Sequence, residues 1–185
     1  LISGPSKSGK SFLSLNFAVA VSTGTEILGR ACRKSRVLYI ELENGNVETK
    51  KRITGILAQK GIDEDLPDSL FIYCLNRGFV DSYVRFFDKI IEKAKDDPFD
   101  LIIIDPIYML LDGDENNSEV IKEFFKQISR LKTATGAAII MCHHESKGSN
   151  SAKNVVDRTS GSGVLSRYPD VLISLEPSNM SVLYR

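Results

Sequence analysis

"GPSKSGKS", residues 4–11, fits G-x-x-x-x-G-K-[ST] through Gly4, Gly9, Lys10 and Ser11. Each fixed position has a physical task. Glycines allow backbone angles that a Cβ forbids, so successive N–H groups can curl around phosphate oxygens. The lysine reaches the β- and γ-phosphates, and the serine hydroxyl ligates Mg²⁺. The helix that follows turns its positive end toward the same anion. The motif needs a strand before it and a helix after it. "LISG" (1–4) is a short apolar strand ending, and "SFLSLNFAVAVS" (11–22) has the apolar spacing of a largely buried helix. Gly4, Pro5, Ser6, Lys7, Ser8 and Gly9, with Lys10, Ser11 and Phe12 opening the helix, are therefore the expected nucleotide contacts.

Outward from this loop, strand and helix signals alternate. Strands are expected at "RVLYIEL" (36–42), "SLFIYCL" (69–75), "FDLIIID" (99–105), "AAIIMCHH" (137–144) and "DVLISLE" (170–176). "FDLIIID" and "AAIIMCHH" are near-continuous apolar runs, as in strands covered on both faces. Helical spacing predicts a helix over 46–61, with Val47, Ile53, Ile56 and Leu57 inward and Gly61 as C-cap. Two more are predicted over 82–95 and 117–136, the second apolar at Val120, Ile121, Phe124, Phe125, Ile128 and Leu131. The aromatic stretches "YVRFFDK" and "EFFKQI" read as helix core faces. The alternation predicts a single α/β domain, with a mainly parallel sheet and helices on both faces. One polar, Gly/Ser-rich stretch stands out, "ESKGSNSAKNVVDRTSGSG" (145–163). Loops of that length in compact domains are usually functional or disordered.

Composition narrows the function classes. Hydrophobic residues make up 42% and charged residues 26% of the 185, ordinary for a globular domain. The 24 basic residues balance 24 acidic ones, so global charge gives no support to nucleic-acid binding and leaves only a local basic surface. No apolar run approaches the length of a membrane span. The three cysteines lack CxxC spacing, and Cys74 and Cys142 sit inside apolar strand runs, which points to reduced thiols and a cytoplasmic setting. With no initiator Met and a core strand starting at the first residues, the chain is expected to be an excerpt of a longer protein.

Two acidic strand ends add chemistry. Asp105 closes "LIIID" and fits a Walker B strand, whose carboxylate holds Mg²⁺ through water. Glu41 and Glu43 alternate along one face of "YIELEN". A carboxylate at the end of a neighbouring strand can orient and deprotonate the attacking water, and Glu43, nearer that end, is the candidate base. A water-activating glutamate suits hydrolysis better than a small-molecule kinase, which needs a lid and an acceptor pocket.

The order of these elements resembles the RecA-like ATPases. Within them it most resembles the RepA-type replicative helicase family of plasmids and phages, also described as an AAA-domain ATPase family. The closer resemblance rests on Glu43-Asn44 (Glu-Asp in the family), Arg52, His143-His144 and "SGSGVLSRYPDVLISLE" (160–176), and it covers essentially the whole chain. It implies a RecA-like P-loop core with ATP and Mg²⁺ as cofactors; no guanine-reading N/TKxD pattern is present. It also implies Lys10 and Ser11 on phosphate and metal, Glu43 as catalytic base, Asp105 as Walker B acid, and His143 as the strand-end sensor of the γ-phosphate. A homo-oligomeric ring, expected to be a hexamer, then needs an arginine finger from the neighbouring subunit. Arg167 and Arg158 are the candidates, Arg167 preferred because it lies nearer the last strand. The 145–163 loop, with Lys147, Lys153 and Arg158, would line a channel around single-stranded DNA; no aromatic residue is interleaved for base stacking. The expected function is that of an ATP-hydrolysing replicative DNA helicase. The alternative is a RecA-like regulatory or recombination ATPase that switches partners without unwinding.

Overall fold

The computed structural model describes residues 1–63, 65–75, 82–111, 113, 117–144 and 164–176. In chain order these form β1 (Ile2–Gly4), α1 (Lys10–Thr23), β2 (Val37–Glu41), α2 (Gly45–Gln59), β3 (Leu70–Cys74), α3 (Tyr83–Asp96) and β4 (Leu101–Asp105). A 3-10 turn (Ile107–Leu110), α4 (Ser118–Thr135), β5 (Ala138–His144), α5 (Val164–Arg167) and β6 (Ile173–Ser174) follow. The six strands make one sheet in the order β3-β2-β4-β5-β1-β6, and every pairing is parallel.

The two-residue period of a strand divides the core. Leu38, Ile40, Ile102 and Ile104 pack on one face, against Phe86, Phe87 and Ile90 of α3 and Phe124, Phe125 and Ile128 of α4. Val37, Tyr39, Leu101 and Ile103 pack on the other, against Leu15, Ala18 and Val19 of α1 and Ile53, Ile56 and Leu57 of α2. The fold is the expected α/β P-loop core of RecA-like type, and the aromatic stretches of α3 and α4 are core faces. Phe124 is fully buried and meets Tyr83 edge-on, with ring centroids 5.6 Å apart. Helix α4 is capped at both ends: Asn117 Oδ1 accepts from the Glu119 N–H at 2.9 Å, and Gly136 closes it in the left-handed region at φ 69°.

Because all strands run one way, their carboxyl ends meet at one rim, where ligands of open α/β sheets bind. β5 stands between β1 and β4, so the histidine pair separates the loop strand from the Asp105 strand. The register sets Gly4 beside His144 and Glu41 beside Asp105.

Several expectations need correction. Val47 is 86% exposed; it lies about 200° around the helix from Thr49, which takes the buried position with Ile53, Ile56 and Leu57. The C-cap of α2 is Lys60, with Gly61 one residue beyond at φ 70°. β5 is not buried throughout: Ala138 is exposed and Ile139 and Ile140 are half-buried, because that end borders an open groove lined by Phe17, Ile128 and Tyr168. β6 is shorter than predicted, since its partner β1 spans only three residues and supplies only Ile2 and Ser3 to the pairing. The 145–163 loop, with Lys147, Lys153 and Arg158, lies outside the described residues. Among the described residues no helix is long and apolar enough to cross a membrane.

Phe124→Ala is expected to destabilise the fold by about 3–5 kcal/mol, read as a lower denaturant midpoint with an unchanged slope. Phe12→Ala, at a half-exposed position, should stay within about 0.5 kcal/mol of the parent in the same experiment.

Candidate active site

The loop between β1 and α1 is shaped by what its glycines leave out. A Cβ on Gly4 would stand 2.6 Å from the Leu175 carbonyl oxygen and 2.8 Å from Ser8 Oγ. Gly9 caps α1 at φ 93°, a left-handed angle costly for other residues. Lys10 is only 4% exposed. Its ammonium donates to the carbonyl oxygens of Gly4 at 2.8 Å and Pro5 at 2.7 Å, with Ser8 Oγ at 3.5 Å. Ser8 closes the loop by donating its N–H to the same Pro5 carbonyl at 3.2 Å. A positive side chain thus sits beneath the loop, and the first N–H groups of a helix, which have no intrahelical acceptor, open beside it. Ser6 and Lys7 are exposed on the loop and Ser11 is half-buried in the first helical turn. Phe12, 51% exposed, has the Arg52 guanidinium 5.2 Å from its ring centre, and Arg52 in turn pairs with Glu48 at 2.9 Å.

Asp105 is buried at the end of β4, and its Oδ2 accepts from the Tyr39 hydroxyl at 2.6 Å and from Ser14 Oγ at 3.3 Å. Ser14 Oγ also lies 3.0 Å from the Ser11 carbonyl oxygen, so one residue links the first turn of α1 to the β4 carboxylate. Burial pushes the Tyr39 phenol well above its ordinary value and the Asp105 charge adds to this, so the phenol remains a donor. Burial does the same to the Cys142 thiol behind them. A serine hydroxyl and a carboxylate are hard oxygen donors. Mg²⁺ takes one or two such protein groups and completes its shell with water and phosphate oxygens. No cluster of three or more His, Cys, Asp and Glu residues suited to a metal occurs among the described residues, and a phosphate-borne Mg²⁺ needs none. Ser11 and Asp105 fit that ion.

The third part of the rim is acidic. Glu41, 1% exposed, accepts through Oε1 from the N–H groups of Glu43 and Asn44, both at 2.7 Å. Burial raises its carboxyl above the ordinary range, and those two amides oppose the shift. Glu43, two residues on, is about one-third exposed, with Oε2 3.8 Å from His144 Nε2. His144 packs edge-on against Tyr108, centroids 5.5 Å apart. Burial holds the His144 imidazole below its ordinary value, and the nearby charge of Lys10 adds, against the pull of Glu43 and Asp105. The histidine brought to Glu43 and Lys10 is therefore His144. His143, the residue expected at the γ-phosphate, is 3% exposed and stands on the opposite face of β5.

The structure thus gathers Lys10, Asp105, Glu43 and His144 at one rim and adds Ser14, Tyr39 and Tyr108. Ser14 is one turn beyond Ser11, a spacing visible in sequence; Tyr39 sits inside an apolar strand run and reads there as core. Arg167 is exposed at the end of α5. Its neighbour Tyr168 stacks on Phe125 with centroids 3.9 Å apart and donates to the Phe125 carbonyl at 3.0 Å, tying α5 to α4. No hydrogen bond or ion pair among the described residues joins Arg167 to the loop, Glu43 or Asp105. Arg158 lies outside the described residues.

A protein-family model described as an AAA domain matches residues 1–150, which include the loop, Glu43, Asp105 and both histidines. No curated protein matches the chain.

Lys10→Ala should weaken nucleotide binding at least about tenfold, the loss of one charge-assisted bond, and abolish turnover; binding and hydrolysis retained at parental levels would remove the loop from the site. His144 gives a second expectation. The folded protein binds the imidazole proton less readily than the unfolded chain, so stability is lost as pH falls below the unperturbed value of 6.5. His144→Gln should flatten that part of the curve when denaturant midpoints are compared at successive pH values.

Proposed function

The chain belongs to the AAA-domain family, and from that premise we propose that it is the ATP-hydrolysing motor domain of a RepA-like replicative DNA helicase. It acts as a homo-oligomeric ring, a hexamer, on single-stranded DNA. The observation that carries the P-loop ATPase reading is the convergence of a buried lysine, a strand-end aspartate and a one-third-exposed glutamate at one rim of a parallel sheet. The finer assignment is supported by the resemblance of the His-His pair and the 160–176 segment to that helicase family.

In this reading Lys10 exchanges its two loop carbonyls for β- and γ-phosphate oxygens when ATP enters. Ser11 and Asp105 hold Mg²⁺, which when bound offsets charge on the phosphates. Tyr39 and Ser14 keep the Asp105 carboxylate oriented. Glu43 takes the proton of the attacking water. His144, uncharged at neutral pH, lies 3.8 Å from Glu43 and within reach of the Lys10 charge, and passes the presence of the γ-phosphate to residues 145–163, which follow β5. Arg167, exposed on α5, supplies the transition-state cation to the neighbouring subunit's site. Lys147, Lys153 and Arg158 carry the DNA contact. The zero net charge favours a second reading, a regulatory ATPase of the same fold that switches partners without unwinding.

Hydrolysis measured across a titration of single-stranded DNA separates the two. Saturable stimulation that weakens as salt rises is expected of the motor; hydrolysis indifferent to DNA favours the regulatory ATPase. Arg167→Ala should keep nucleotide binding and lower kcat by about 10³-fold. If only Arg158→Ala does so, Arg158 is the finger.

A further inference from the structure

β2 ends on Glu41 and the turn after it carries Glu43, and the deeper of these two glutamates has no task in the reading above. Glu41 is 1% exposed, and among the described residues no Lys, Arg or His lies within ion-pair distance of it. A carboxylate buried without a cation is retained where the bonds it accepts matter. Here all but one, which comes from Thr49 in α2, converge on the turn that carries Glu43. Oε1 accepts the Glu43 and Asn44 N–H groups at 2.7 Å each and Asn44 Nδ2 at 3.2 Å; Oε2 takes Asn44 Nδ2 at 3.4 Å, and the Thr49 hydroxyl shares its one proton between Oε2 at 3.4 Å and the Gly45 carbonyl at 2.8 Å.

These bonds do more than cap a helix. The two amides precede Gly45, the first residue of α2, so they restrain the turn before the helix. Asn44, at the N-cap, makes no side-chain capping bond and gives its amide to Glu41 instead. The start of the turn is pinned from both neighbouring strands: the Glu41 carbonyl accepts from the Leu75 N–H and the Leu42 N–H donates to the Asp105 carbonyl, both at 2.9 Å. What these two bonds leave unrestrained is the backbone of residues 43 and 44, and the Glu41 carboxylate removes that freedom from inside. Both of its oxygens are engaged and it is closed to solvent, which also sets it apart from the one-third-exposed Glu43 as a proton acceptor.

We propose that Glu41 is the positioning residue for Glu43, its buried carboxylate fixing the turn so that the Glu43 carboxylate stands at the rim opposite Lys10 and Asp105. The inference rests on the proposed role of Glu43. A displacement of a reacting group by a fraction of its length is costly in rate while leaving phosphate binding at the loop untouched.

The test is a cycle in the full chain: Glu41→Ala, Glu43→Gln and the double variant, with ATP hydrolysis and nucleotide affinity measured for each. Glu41→Ala is expected to lower kcat at least about tenfold, with nucleotide affinity changed less than about threefold. In the Glu43→Gln background it should cost nothing more, because the two act as one unit. Glu41→Gln keeps an oxygen for the two amides and should restore kcat to within about threefold of the parent. If Glu41→Ala does not fold, Glu41→Asp, one methylene shorter, takes its place with the same expected pattern. Equal losses in both backgrounds, or a parallel loss of nucleotide affinity, would reduce Glu41 to general support of the fold and overturn the proposal. A loss in Glu41→Gln as large as in Glu43→Gln would make Glu41 itself the reacting carboxylate and also overturn it. If Glu43→Gln hydrolyses like the parent, the role of Glu43 fails, and this proposal fails with it.

Discussion

A parallel sheet covered on both faces has no place for polar side chains except at its ends. This constraint organises the rest of the molecule. Val37 to Ile40 and Leu101 to Ile104 are buried without interruption, alternately under α1 with α2 and under α3 with α4. Every side chain with chemistry to offer is displaced to the last residue of a strand or the turn after it: Gly4 and its loop after β1, Glu41 and Glu43 after β2, Asp105 after β4, His144 after β5. Parallel direction puts those ends together. The site is what remains when the interior is reserved for apolar contact.

Tyr39 is an exception within the strands, and it shows how the interior serves the rim. Its ring packs with Ile53 and Leu57 while its hydroxyl runs along β2 to reach Asp105 at 2.6 Å. A buried phenol held well above its ordinary value, beside a carboxylate, is a permanent donor. With Ser14 on the same oxygen, the carboxylate is oriented by protein groups before any ligand arrives. Such orientation costs no reorganisation at the moment of reaction. Lys10 is prepared differently: its ammonium is satisfied by the loop's own carbonyls, an arrangement that a phosphate can replace bond for bond.

The fold was legible because its signals are large and redundant. Near-continuous runs such as "LIIID" and amphipathic helices such as α4 state their partners through periodicity alone. The loop was legible because Gly4 and Gly9 are demanded by backbone geometry, a one-residue signal. What escaped depended on contacts between segments far apart. Val47 reads as an inward residue by rough spacing, yet the helix buries Thr49, whose hydroxyl answers a carboxylate on β2. Adjacent histidines at a strand end face opposite ways, and which one meets the rim follows from the pairing of Gly4 with His144, a register absent from any local pattern. Tyr39 and Ser14 look like core and helix filler until the sheet brings β2 and α1 to Asp105.

The two glutamates at the end of β2 and in the turn after it show how a step of two residues assigns roles. Side chains two apart on an extended strand would share a face, and the strand ends at Glu41. The turn that begins there carries Glu43 outward, to one-third exposure, while Glu41 stays under it. One carboxylate becomes available to water and to the His144 side chain; the other spends its acceptors on backbone amides. Burial raises Glu41 toward its protonated form, and the amide donors that oppose this shift belong to Glu43 and Asn44, the residues it holds. The charge on Glu41 and the conformation of the turn therefore support each other: if the turn opens, the carboxylate loses the donors that keep it ionised. A carboxylate mounted on such a turn is held by a bond network that the strand end itself provides.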